Sequence, residues 1–239
     1  MKGENVACTG QPPITSHQSP ATTHKHKEEK MAKVILLNGS PHPKGCTATA
    51  LNEMIKIFDK EGIGTEIIQV GGKTIPGCMS CNSCRKLGRC VIDDLVNEVR
   101  AKLLAADGMV IASPVFYGSP NGALLSLLDR LFFSLEGVSK HMKVGASVVS
   151  CRRGGNTSTF DVLNKYFLSA GMPLAPSTYW NMVHGFTPED VMKDAEGLQT
   201  MRNLARNMSF MIKCIADGKE KYGYPEVETE AFTCFQDGK

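Results

Sequence analysis

The chain has 239 residues, 42% of them hydrophobic and 21% charged, with a net charge of +3 and a pI near 8.3. That suffices for one full core and a small appendage, and the charge is too mild to imply a nucleic acid or a membrane surface as partner. With no apolar run near the roughly 20 residues of a membrane span and no apolar h-region of a secretory signal, the expected compartment is the cytoplasm. Nine cysteines in such a compartment read as ligands or free thiols, not as a disulfide framework.

Residues 1–30 are rich in Thr, Pro, His, Gln and Lys and lack apolar periodicity. They bury too little surface to offset ordering entropy and are read as a disordered extension, with His17, His24 and His26 as scattered side chains of that tail. The apolar run Val34-Ile35-Leu36-Leu37 then reads as a first strand, about 33–38, closed by Asn38-Gly39-Ser40. A loop with two prolines and a glycine leads to a helix over about 46–60, with Ala48, Leu51, Met54, Ile55 and Phe58 at helical spacing. Strand, polar turn and helix N-terminus together form a phosphate cradle, because backbone N–H groups and the helix dipole converge there. Ser40 and Thr47 can add hydroxyl donors. Neither the G-x-G-x-x-G nor the Walker spacing is present.

A second strand is expected at about 65–70, followed by a cysteine-rich loop at about 71–92. Asp93-Asp94 caps the next helix. A third strand at about 109–112 ends in SPVFYGSPNG, and residues 121–135 form a helix so apolar that it is either deeply buried or packed on another subunit. The fourth strand, about 144–149, leads into SCRRGGNTS and a helix through Leu168. Residues 172–175 read as a short fifth strand, followed by STYWNMVHGF, in which Trp180 and Asn181 either cap a ligand edge or pack under the next helix. That last long helix spans about 189–216, and a tail, 219–239, completes the chain.

Strands alternating with helices predict an α/β fold, a parallel five-stranded sheet covered on both faces, with strand order 2-1-3-4-5. Ligands of such sheets sit beyond the carboxyl ends of the strands, so the loops after strands one, three and four should share one pocket. A phosphate cradle, an aromatic and apolar wall and a polar, cationic edge suit flavin mononucleotide (FMN).

The segments GSPHPKGCTA, SPVFYGSPNGALLSLLDR and CRRGGNTS resemble the three flavin-binding segments of the NADPH-dependent FMN reductase family, whose fold is the flavodoxin-like three-layer α/β/α sandwich. The loop CMSCNSCRKLGRCVIDD is similar to that of the family's iron–sulfur flavoprotein branch. The resemblance covers about 32–215. It implies Ser40, Cys46, Thr47 and Ala48 at the FMN phosphate, and Pro114, Val115, Phe116, Tyr117 and Gly118 along the isoalloxazine and ribityl chain. Ser150, Arg152, Gly154 and Gly155 would face the pyrimidine end of the ring. Many members carry Asn where Cys46 stands, a change of little consequence if the backbone N–H makes the contact.

Cys78, Cys81, Cys84 and Cys90 follow C-x2-C-x2-C-x5-C. Three cysteines at three-residue steps can turn their thiolates to one point, as in ferredoxin-type runs, and a fourth can close the set around a [4Fe-4S] cluster. Free thiols, zinc and a redox disulfide are the alternatives, zinc ranking lower because it prefers paired knuckles set farther apart. Arg85, Lys86 and Arg89 would offset a cluster's negative charge. The expected activity is an FMN oxidoreductase taking hydride from NAD(P)H and passing electrons to a quinone, a flavin, a small electrophile or the cluster. The alternatives are an FMN and [4Fe-4S] carrier fed by a ferredoxin-type donor, and a non-enzymatic binding module. The family's members imply a homodimer or homotetramer.

Overall fold

The computed structural model describes residues 31–135 and 141–228, within the compact unit Met31–Lys239. The reading of residues 1–30 as disordered lies outside the described residues, as does the stretch from 229 onward.

Among the described residues five strands form one sheet in the order β2-β1-β3-β4-β5, every neighbouring pair parallel. They are β1 (Lys33–Asn38), β2 (Gly64–Gln69), β3 (Gly108–Pro114), β4 (Val144–Cys151) and β5 (Met182–His184). The helices are α1 (Cys46–Lys60), α2 (Ser83–Leu87), α3 (Leu95–Ala105), α4 (Gly122–Ser134), α5 (Asn156–Ser169), α6 (Pro188–Val191) and α7 (Ala195–Tyr222).

The two faces of β1 follow from strand alternation. Val34 and Leu36 enter a core shared with Leu51, Met54 and Phe58 of α1 and Met201, Leu204 and Met208 of α7. Ile35 and Leu37 enter the opposite core with Val99 of α3, Leu127 and Leu131 of α4 and Phe167 of α5. Both faces are therefore covered, and the continuous apolar runs are the signature of strands buried on two sides.

Three elements differ from the sequence reading. Residues 172–175 do not form the fifth strand: they make one isolated bridge, Leu174 to Gly145, while β5 lies at Met182–His184 and pairs with Val149–Cys151. The final helix is split. Thr187 starts α6 with a capping box, and Asp194 then caps α7 by accepting from the Gly197 amide at 2.9 Å. The other oxygen of Asp194 accepts from the His184 amide at 2.7 Å, so the break is pinned to β5. Finally, α7 continues to Tyr222, and the cysteine loop contains the short helix α2.

Candidate functional site

The loop from β1 to α1 is fixed by side chains behind it. Ser40 N donates to Asn38 Oδ1 at 3.0 Å, and Ser40 Oγ accepts from His42 N at 3.1 Å. Gln69, on the neighbouring strand, donates to the carbonyls of Ser40 and Gly71 and accepts from Asn38 Nδ2 at 2.9 Å. Asn38 and Gln69 are thus positioning residues that the sequence reading missed. Their only signal was a polar residue ending each of two adjacent strands.

Among the described helices of eight residues or more, α3, α4 and α7 begin with a side-chain cap, from Asp94, Asn121 and Asp194. The starts of α1 and α5, at Gly45 and Gly155, have no such cap and no acid in the first turn. An uncapped helix start presents free N–H groups and positive dipole to whatever lies beyond it. Both starts follow the carboxyl ends of strands, β1 and β4, on the same edge of the sheet.

Between these loops lies a cleft of about 800 Å³. Ser40, Cys46 and Thr47 line it from the first loop, Pro114, Val115 and Phe116 from the second, and Ser150 and Arg152 from the third. Thr47 Oγ1 and Ser150 Oγ, both buried, share a 2.7 Å hydrogen bond that ties the first loop to the third. Burial pushes the Cys46 thiol up from its ordinary value, with Asp190 and Glu189 adding to the rise against a local backbone hydrogen bond. It is a neutral group at neutral pH and sets no negative charge against a phosphate.

Five of the expected residues stand off the cleft wall. Ala48 is buried beneath it, contributing only its first-turn backbone. Tyr117 and Gly118, with φ of 51° and 73°, form the tip of a two-residue hairpin closed by Phe116 and Ser119, which turns the Tyr117 side chain fully into solvent. Gly154 is exposed, and Gly155 (φ 84°) packs so tightly that a Cβ there would lie 2.8 Å from Gly118 Cα. Gly155 thus locks the third loop to the second. Trp180 lies outside the cleft, its ring tilted at 49° to that of Tyr179 with centroids 5.1 Å apart, on the walls of other cavities.

The sequence reading also missed a fourth wall. Gly185, Phe186, Thr187 and Pro188 also line the cleft, and the misplaced fifth strand hid them. His42, Lys44 and Gly45 complete the first loop.

The cysteine loop leaves the sheet beside this cleft. A Cβ on Gly71 would lie 2.1 Å from the carbonyl carbon of Ser40, so the loop starts against the cradle itself. Cys78, Cys81, Cys84 and Cys90 all line one small cavity of about 20 Å³. Hydrogen bonding from Ser83 draws the exposed Cys81 thiol below its usual value. No group of three His, Cys, Asp or Glu side chains among the described residues is set in metal-ligand geometry. At the floor of the cavity sits Arg130 of α4, 2% exposed and paired with Asp94 at 2.6 Å. The sequence reading took this helix as apolar and gave Arg130 no role.

A parallel sheet in this order, with anion-ready loops at its carboxyl edge, defines a mononucleotide-binding protein of the flavodoxin type. Residues 32–187 match the NADPH-dependent FMN reductase family. An iron–sulfur flavoprotein of Methanocaldococcus jannaschii is 34% identical over 190 residues, covering 77% of this chain and 98% of the relative. One from Methanosarcina thermophila is 26% identical over 192 residues, covering 79% and 100%. Among solved structures, a WrbA-like flavodoxin from Agrobacterium tumefaciens superposes with a TM-score of 0.57 at 13% identity, covering 77% of this chain and 98% of that one. A flavone reductase gives the same TM-score at 16% identity, covering 77% and 64%.

The chain belongs to the NADPH-dependent FMN reductase family, near its iron–sulfur flavoprotein branch: an FMN-binding oxidoreductase or electron carrier. The cleft fits that cofactor. It has open helix amides for a phosphate, an apolar wall for a ring and Arg152 at a polar edge. The cysteine cavity gathers four thiols, the donor type that iron–sulfur clusters take, with a guanidinium beside them. No helix among the described residues is long and apolar enough to cross a membrane.

Proposed function

We propose that the chain is an FMN-dependent oxidoreductase that takes electrons from NAD(P)H and delivers them to a quinone, a flavin, a small electrophile or a cluster at Cys78, Cys81, Cys84 and Cys90. The observation that carries the FMN site is the uncapped start of α1, whose Gly45, Cys46 and Thr47 line the cleft, while the starts of α3, α4 and α7 are capped. In this reading the amides of Cys46, Thr47 and Ala48 and the hydroxyl of Ser40 hold the phosphate. Pro114, Val115 and Phe116 pack on the ring. Ser150 and Arg152 contact its pyrimidine edge, while Gly154 and Gly155 keep the backbone there free of side chains. Tyr117 and Gly118 shape the turn that sets Phe116.

Bound FMN supplies both two-electron and one-electron chemistry. The protein's part is to orient it, to exclude water from the apolar wall and to place donors at its polar edge. A second reading, a carrier fed by a ferredoxin-type donor, is supported by the four cysteines gathered on one cavity beside the cradle. A homodimer or homotetramer in the cytoplasm belongs to the same proposal, with Phe186 and Tyr117 as exposed apolar surface near the cleft for a second copy to cover.

The visible spectrum of anaerobically purified protein tests this. Flavin bands are expected, with a broad shoulder from iron. A colourless protein that fails to take up added FMN overturns the reading. Bleaching of the flavin by NADPH supports the reductase, whereas bleaching by reduced ferredoxin alone supports the carrier. Cys84→Ala is expected to remove the shoulder and leave the flavin bound.

A further inference from the structure

Arg130 is a guanidinium in a helix whose other buried residues are four leucines and Ser134. Burying such a charge costs several kcal/mol unless it is paired and its donors are satisfied. Asp94 meets the first need, with contacts of 2.6 Å to Nη1 and 3.0 Å to Nη2. A plain structural ion pair would end there.

The remaining donors are aimed at the cysteine loop. Nε and Nη2 lie 3.4 and 3.3 Å from Cys90 Sγ, Nη1 donates to the Pro76 carbonyl at 3.3 Å, and Nη2 to the Ile92 carbonyl at 3.1 Å. Pro76 and Ile92 flank the cysteine excursion, so one side chain ties its two stems together. A thiol is a weak acceptor, and two donors from a buried cation suit an anionic, ligating sulfur far better. Asn97 fixes the same position from the other side, accepting from Cys90 N at 3.0 Å and donating to Cys90 O at 3.1 Å. By contrast, Arg89 lies on the exposed side of the loop, paired with Asp93.

We infer that Arg130 is the positioning residue of the cysteine loop: it holds Cys90 as the fixed ligand of a thiolate-bound iron–sulfur cluster and stabilises that cluster's reduced form. This rests on the cluster reading given above. N–H donors to a ligand sulfur favour the state with more negative charge, so their removal makes the cluster harder to reduce. The flavin cleft is lined by other residues and is expected to keep its own potential.

The test uses the full FMN-loaded chain, purified anaerobically, in three forms: wild type, Arg130→Lys, and Arg130→Met combined with Asp94→Asn. The second change removes the stranded carboxylate, and Asn still serves as a helix cap. Iron and acid-labile sulfide are counted, and the cluster and flavin potentials are measured by spectroelectrochemical titration. The expected result is a cluster potential shifted negative in the double variant, a smaller shift in Arg130→Lys, and an unchanged flavin potential. Loss of the cluster from a folded double variant that keeps FMN, with the cluster retained in Arg130→Lys, also supports the role. Full iron content with an unmoved cluster potential in both variants overturns it. Wild-type protein without iron or sulfide sinks the cluster reading itself, and this role with it.

Discussion

The flavin cleft and the cysteine loop stand side by side but are built on different principles. The cleft presents mainly backbone, strand ends and the open start of α1, on loops locked from behind by Asn38 and Gln69, by Gly155 against Gly118 and by the Thr47–Ser150 hydroxyl pair. The cysteine loop is made by side chains. Its tip carries the left-handed residues Ser80 and Asn82 and exposed Cys78 and Cys81, and its stems are held by Arg130, Asp94 and Asn97. A backbone-built site stands ready before its ligand arrives, as the family's FMN requires. The exposed thiols of Cys78 and Cys81 at its tip are left to be gathered by whatever they bind.

The most severe way to break this comparison is at the seam. Gly71→Ala would force a Cβ into the Ser40 carbonyl, and no flexible side chain is there to yield. A loss above about 4 kcal/mol is expected, seen as insoluble protein or a collapsed melting temperature. Asp94→Ala strikes the cysteine side and the start of α3 that Asp94 caps, and leaves the cleft untouched. It strands the Arg130 charge, with about 3 kcal/mol lost in denaturant titration, while FMN titrated into the protein that remains folded should bind with unchanged affinity.

Thr47→Val strikes the cleft alone. It leaves the buried Ser150 hydroxyl without its partner, costing about 1–2 kcal/mol, and should weaken FMN binding while sparing the iron content. Glu53→Gln touches neither region. Burial would raise the Glu53 carboxyl, but hydrogen bonds and charge from Lys56 and Arg202 outweigh it and hold it below the usual range. Its stabilisation is therefore present above the ordinary carboxylate range and lost as pH falls through the lowered value. The variant should melt less than about 1 kcal/mol below wild type at neutral pH, and the gap should close in acid.

How much of this was legible in the chain depended on whether local pattern or distant contact decides. The β1 run and the α1 face are periodic, and strand order follows from the βα alternation. The cleft was legible because ligand loops of such sheets lie at strand ends. The fifth strand was not, since MPLA at 172–175 is more apolar than NMVH at 181–184, and only pairing with β4 selects the latter. The break between α6 and α7 depends on Asp194 reaching His184 across the fold. Arg130 reads as one charge in a leucine-rich helix, because the residues that give it meaning lie 36 and 40 positions away.

Asp94 joins these regions in a further way. Its Oδ1 accepts from both Val96 N and Arg130 Nη2, each at 3.0 Å, so one carboxylate starts α3 and closes the cysteine excursion. The loop is thereby enrolled in the cooperative unit of the domain, and opening its stems unwinds the first turn of a core helix. Native-state hydrogen exchange should find the amides of Val96 and Cys90 opening with one shared free energy. An excursion that looks appended would then be as costly to unfold as the helix that carries it.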